Sequence, residues 1–209
     1  MRQREAKPPA PTAPDSARQR VVAAARRHFF AHGFRNVTMD DLAEELAMSK
    51  KTLYACFPSK VDLLKAVLLD KFARVEADLE RVAPQSAADF PAALHDLLAC
   101  VQGHTSEIQP PFLRDMQREM PEMFQVVEGR RRDLIRRHFG NLFRAGQRAG
   151  MVRKDIAVEL LIEALLGSVN AVMNPPKMAE LGLTPKSGFT AIISVFLEGV
   201  LIENRGVKP

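Results

Sequence analysis

Between Thr38 and Phe57 the chain fits two short helical segments around one tight turn, Ala47-Met48-Ser49, and no other stretch leaves it so little freedom. Thr38 is a strong N-cap candidate, because its side-chain oxygen can accept from an otherwise unpaired amide of the first turn. Asp40, Asp41 and Glu44 follow where negative charge favours a helix N-terminus. Leu42, Ala43 and Leu46 give this segment a buried side. Ser49 can cap the second segment, whose Leu53 and Phe57 share one face. Pro58 ends it, and Ser59 caps a longer helix carrying Leu63, Leu64, Val67, Leu68, Phe72, Val75 and Leu79. A turn this short makes the first segment brace the second across its back, which is helix-turn-helix spacing.

The surrounding pattern is helical as well. Val21, Val22, Ala25, Phe29 and Phe30 recur at three- and four-residue intervals from Arg18 onward, and Gly33 supplies a stop. Beyond Pro84, Phe90, Leu94, Leu97, Leu98 and Val101 form an amphipathic stripe that Pro110-Pro111 breaks. Phe112, Met116 and Met120 make a short helix. Pro121 starts the next, which runs through Phe124, Val127, Leu134, His138 and Leu142 toward Gly150. Asp155 opens an apolar helix, Ile156 to Val172, stopped by Asn174-Pro175-Pro176, and Thr184-Pro185 begins the last one. The expectation is an all-α chain of about nine helices. It divides into a disordered Pro- and Ala-rich arm over 1–15, a three-helix head over 16–62 and a larger helical body over 63–209.

Charge separates head from body. Residues 1–60 hold 11 Lys/Arg against 6 Asp/Glu, whereas residues 61–209 hold 19 of each, so the whole formal excess of +5 sits at the N-terminal end. That points to a nucleic-acid-facing module on a neutral body. Two cysteines, Cys56 and Cys100, cannot make a disulfide framework and have no metal-like spacing, which fits a reducing compartment. Prolines stand where a signal peptide needs an apolar core, and Glu159 and Glu163 interrupt the most apolar stretch, so a cytoplasmic chain without a membrane span is expected. No Gly-rich phosphate loop, GxSxG or HExxH is present; the expectation is no enzyme, no cofactor and no metal.

The second segment of the motif presents Ser49, Lys50, Lys51 and Thr52, a cluster of donors with two positive charges, in the half that would enter a major groove. Tyr54 points sideways toward a phosphate or forms a core edge. Lys60 stands where a helix N-terminus and an ammonium together can hold a backbone phosphate. The string from Thr38 to Lys60, preceded by Phe29-Phe30-Ala31-His32-Gly33-Phe34, closely resembles the DNA-binding domain of TetR/AcrR-type transcriptional regulators. The resemblance covers about 45 residues and includes the Gly-Phe pair, the capping Thr, the Thr-Leu-Tyr triplet and the Phe-x-Ser-Lys exit. It implies that Thr38 contacts a phosphate, that Lys50, Lys51 and Thr52 face the groove, and that Tyr54 and Lys60 grip the backbone. Two departures matter. Ala47-Met48 replaces the frequent Gly-Val of the turn, and the short Ala55-Cys56 stands where large aromatic or His residues are common, which moves the weight of base reading to Lys50 and Lys51. Arg2, Arg4 and Arg18 are possible further DNA contacts.

For the body, the resemblance implies a ligand-binding and dimerisation domain. Phe112, Met116, Met120, Met123, Phe124, Phe139 and Phe143 form a Met/Phe-rich set that is either core or the wall of a ligand cavity. Leu161, Leu165 and Val169, with Ile192, Phe196 and Val200, are the candidate dimer face, where Gly167 and Gly199 permit close helix approach. Arg130, Arg131, Arg132, Arg136 and Arg137 span more than one helix face. They are solvated ion-pair partners, contacts for an acidic partner, or include one arginine turned inward toward an acidic ligand. The function implied is a homodimeric repressor on a palindromic double-stranded operator, released by a small, largely apolar ligand. The alternative is a helical ligand-binding or scaffold protein without sequence-specific DNA binding.

Overall fold

The computed structural model describes residues 13–82 and 89–201, with side chains from residue 16 onward. These residues form ten helices: α1 (Ala13–His32), α2 (Met39–Glu45), α3 (Lys50–Cys56), α4 (Lys60–Arg81), α5 (Phe90–Ser106), α6 (Pro110–Glu119), α7 (Pro121–Arg148), α8 (Val158–Val172), α9 (Pro175–Glu180) and α10 (Pro185–Val200). Among the described residues the only β pairing is an isolated bridge between Val152 and Leu201.

The helix more than expected is α9. Asn174-Pro175-Pro176 stops α8 and also starts the next helix: the Asn174 side chain accepts from the Lys177 amide, and a proline at the first helical position loses no bond. Asp155 does not open α8, which begins at Val158; its carboxylate pairs instead with Arg153. The greater part of the expected arm, residues 1–12 with Arg2 and Arg4, lies outside the described residues, and α1 begins at Ala13. Ile202, the expected end of the last helix, also lies outside them.

Two hydrophobic cores result. The head core gathers Val21, Ala25, Phe29 and Phe30 of α1, Leu42 of α2, Leu53 of α3 and Leu63, Leu64, Val67 and Leu68 of α4. It also takes in Phe112 and Met116 of α6, so a division at residue 62 cuts through one packed unit. The body core is built from α5, α7, α8 and α10 around Leu97, Phe143, Leu165 and Ile193. Helix α4 runs from one core into the other, contributing Leu79 to the second.

A candidate nucleic-acid face and a cavity at the seam

Three hydroxyl caps set the head. The Thr38 oxygen accepts from the Asp41 amide at 3.1 Å while Asp41 accepts from the Thr38 amide at 3.1 Å, a reciprocal capping box. Thr38 is exposed, and its hydroxyl proton remains free to donate. Ser49 caps α3 through the Thr52 amide at 3.1 Å, and Ser59 caps α4 through the Asp62 amide at 3.0 Å. Between α2 and α3 the chain turns in a Schellman motif. The Met48 amide reaches Ala43 O at 2.8 Å and the Ala47 amide reaches Glu44 O at 3.0 Å, with Ala47 in the left-handed region at φ 48°.

On this frame Ser49, Lys50, Lys51, Thr52 and Tyr54 are all exposed along one short helix, with Tyr54 46% accessible. Leu53 and Phe57 are buried beneath them. Lys50 is bonded to Asp40 of α2 at 2.7 Å, and that carboxylate raises its pKa. Lys60 is partly committed to the fold: its ammonium donates to Arg35 O at 3.3 Å and lies 4.4 Å from the Phe34 ring centre, and burial lowers its pKa.

Four contacts have no local signature in the sequence. Arg18 donates to Cys56 O at 2.7 Å and stacks 4.1 Å over Phe57, so it fixes the C-terminal end of α3. Asp115 of α6 accepts from the Arg35 amide at 2.8 Å, and Gln109 donates its amide to Phe30 O at 2.9 Å. The turn before the motif is thereby held by the body. Gly33, at φ +89°, sits so close to Asp115 that a Cβ there would come within 2.6 Å of its carboxylate.

A cavity of about 210 Å³ lies at the seam between the two cores. Helix α4 supplies Leu68, Lys71, Phe72, Val75 and Leu79; α6 supplies Phe112, Leu113 and Met116; and α1 supplies Phe30. Of the seven expected ligand contacts, Phe112, Met116, Phe124 and Phe139 line it, whereas Met120, Met123 and Phe143 do not. Met120 ends α6 with its backbone out of helical angles, Met120 and Met123 pack on the head core, and Phe143 is fully buried in the body core.

Lys71 is the one buried charged residue among those described, 6% exposed. Its ammonium donates to His104 Nδ1, His104 O and Glu107 Oε2, each at 3.0 Å, and Glu107 also meets Arg26 of α1 at 3.8 Å. His104 Nε2 in turn lies 3.0 Å from Asp78. Burial lowers the pKa of both Lys71 and His104. His138, on the cavity wall, has its pKa lowered first by burial and then by Arg137.

The expected dimer residues turn inward. Leu161, Leu165, Val169, Ile192 and Val200 are buried in the body core of a single protomer, and Phe196 packs against it with its ring 5.8 Å from Phe143. The outward stripes are Leu160, Ala164, Gly167, Ser168 and Ala171 on α8, and Ala191, Ser194, Val195 and Gly199 on α10. The arginine run also resolves. Arg136 pairs with Glu163, Arg137 with Glu76 and Arg131 with Glu128, while Arg130 lies over Phe72 at 6.0 Å and Arg131 reaches the cavity wall. No helix is long and apolar enough to cross a membrane among the described residues.

Residues 21–67 match the sequence model of bacterial regulatory proteins of the tetR family. Comparison with curated protein sequences gives no match. A TetR transcription regulator from Haloarcula marismortui shares the fold with TM-score 0.68 at 20% identity, over 90% of this chain and 99% of that one. The regulatory protein TetR from Rhodobacter sphaeroides aligns with TM-score 0.66 at 18% identity, over 88% and 98%. SmeT, the repressor of the Stenotrophomonas maltophilia multidrug efflux pump SmeDEF, aligns with TM-score 0.61 at 19% identity, over 92% and 93%. A complex of SmeT with triclosan aligns with TM-score 0.60 at 17% identity, over 93% and 95%.

Proposed function

We infer, from a chain whose residues 21–67 belong to the tetR family of bacterial regulatory proteins, a DNA-binding transcriptional regulator that acts as a ligand-released repressor in the cytoplasm. The observation that carries this is the exposed donor row Ser49, Lys50, Lys51 and Thr52 at the start of α3, braced from behind by α2 through a seven-residue helix and a closed turn. Lys50 and Lys51 read base edges, and Thr38, Tyr54 and Lys60 hold phosphates.

Two such heads in a homodimer engage successive major grooves about 34–36 Å apart, so the operator is palindromic. The small outward stripes of α8 and α10 are the dimer face. Leu160 and Val195 are 62% and 74% exposed in one protomer, and a Cβ added at Gly167 or Gly199 would meet nothing within 4 Å. A partner helix can therefore approach closely there.

The effector occupies the seam cavity and presses on two levers. One is α4, whose first turn carries Lys60. The other is α6, whose Asp115 holds the turn ahead of α2. A ligand that binds the splayed arrangement more tightly than the DNA-bound one lowers operator affinity by that difference. Triclosan in the SmeT complex supports a largely apolar small molecule as the effector class.

The test is binding to the DNA upstream of the chain's own coding region as salt is varied. Wild type weakens steeply with salt, and Lys51→Ala costs about 1–3 kcal/mol. Equal binding by wild type and the Lys50→Ala/Lys51→Ala variant would sink the reading and favour a helical scaffold. A monomer at micromolar concentration would remove the two-groove mechanism.

A further inference from the structure

We propose that the seam cavity takes a short amphiphile with one anionic acceptor group, a monocarboxylate of about ten heavy atoms, whose head group sits on Arg131. The proposal rests on the reading of this cavity as the effector site.

The wall is apolar except for Lys71, His104, Thr105, Glu128, Arg131 and His138. Nearly all of these are already engaged. Lys71 spends its three N–H groups on His104 and Glu107. His104 is tied to Asp78 as well. The Thr105 hydroxyl donates to Val101 O at 2.7 Å, and His138 Nε2 accepts from Arg137 at 3.3 Å. Arg131 is different. One of its terminal nitrogens bonds Glu128 and, at 3.0 Å, Asn170 Oδ1, yet its Nε is buried and has no partner. No other buried side-chain nitrogen or oxygen among the described residues lacks one. As the side chain stands, that Nε has no surface open to the cavity, so an acceptor reaches it only when the guanidinium gives up Glu128. A permanent cation with an unmet donor favours that exchange for an anionic partner, and the planar guanidinium edge matches a carboxylate.

Size sets the tail. An apolar cavity of about 150 Å³ holds benzene, so about 210 Å³ suits an eight-carbon chain with its head group. The adjoining cleft shares Phe72 and Leu134 with the cavity, and there Arg130 and Arg137 face Glu76 and Asp133. Its charges balance, so selectivity for an anion comes from Arg131. Glu128 holds the same guanidinium, and an incoming carboxylate must compete with it.

Titration calorimetry and thermal shift on the full chain with octanoate, 1-octanol and octylamine test this. Octanoate should bind at least tenfold tighter than octanol, and octylamine should not bind. Arg131→Gln should remove the octanoate advantage and leave octanol binding unchanged, Arg131→Lys should retain part of it, and Glu128→Gln should tighten octanoate. The wild-type ranking stands even if a variant fails to fold. Octanol and octanoate binding equally would overturn the head-group assignment while leaving the cavity as an effector site. If no probe binds and none releases DNA, the effector-site reading falls with it.

Discussion

Gly33→Ala tests how firmly the body holds the DNA-binding head. The substitution faces two separate penalties. At φ +89° an L side chain is strained, at a cost of about 1–2 kcal/mol. The new Cβ would also stand 2.6 Å from Asp115 Oδ2 and 3.3 Å from Pro111 Cβ, so the carboxylate has to swing away. Swinging away breaks its 2.8 Å bond from the Arg35 amide. A hydrogen bond to a charged group contributes about 1.5–3 kcal/mol, and solvent exposure at this site reduces that to about 1. The expected total is about 2–3 kcal/mol. For a chain of this size that lowers Tm by roughly 4–12 °C at fixed protein concentration. A double-mutant cycle separates the two parts. In an Asp115→Ala background the contact is already gone, so Gly33→Ala should cost only the backbone part, and the cycle should show a coupling of about 1 kcal/mol. Denaturant or thermal unfolding of the four proteins measures it. If the two substitutions add within about 0.5 kcal/mol, the turn is not clamped by α6 and the second lever of the proposed mechanism has no mechanical basis.

Other outcomes follow from single contacts. Ala47→Gly places the residue that a Schellman turn favours at φ 48°, and should raise stability by about 1 kcal/mol with operator binding intact; a loss of stability on unfolding would contradict the turn geometry. Asp40→Asn releases Lys50 from an exposed ion pair and should leave Tm essentially unchanged. Operator affinity should rise relative to that for unrelated DNA, and an unchanged ratio would take Lys50 off the base edges. His104 and His138 both have their pKa lowered by burial. As pH falls below about 6.5 the unfolded chain gains protons that the fold refuses, so stability is full above that value and is lost toward the lower folded pKa values. Tm should drop between pH 7.5 and 5.5, and His104→Gln with His138→Gln should flatten the drop.

How far the sequence could be read depended on how local each determinant is. The caps Thr38, Ser49 and Ser59 act within three residues of themselves, so α2, α3 and the start of α4 follow from the sequence with the exposed row Lys50-Lys51-Thr52. The clamp on the Gly33 turn joins Arg35 to Asp115, residues 80 apart, and leaves no trace in any window. Lys71 did leave one: it falls among Leu64, Leu68 and Val75 on the apolar side of α4, where a charge needs a buried partner. Asn174-Pro175-Pro176 reads equally as a stop or a start, and only the side-chain bond to Lys177 decides.

The proposed dimer face shows a more general difficulty. In α8, Leu160, Leu161, Ile162, Leu165 and Leu166 make the helix apolar on several sides, so periodicity alone cannot assign one stripe inward and another outward. The bulkiest stripe, Leu161-Leu165-Val169, reads as an interface, yet it fills the protomer's own core, where large side chains gain most from burial. What remains outside is a stripe of Ala164, Gly167, Ser168 and Ala171 edged by Leu160. Small residues contribute little apolar area, so an interface on them owes its strength to close backbone approach. A bulky charged residue in the stripe is then far more disruptive than truncation of its one large member. Gly167→Glu should leave the monomer fold intact, since a Cβ there meets nothing within 4 Å, and convert the dimer to monomer in sedimentation. Leu160→Ala should only weaken it. If Gly167→Glu stays dimeric, the interface lies on another face and the 34–36 Å spacing of the two heads loses its structural support.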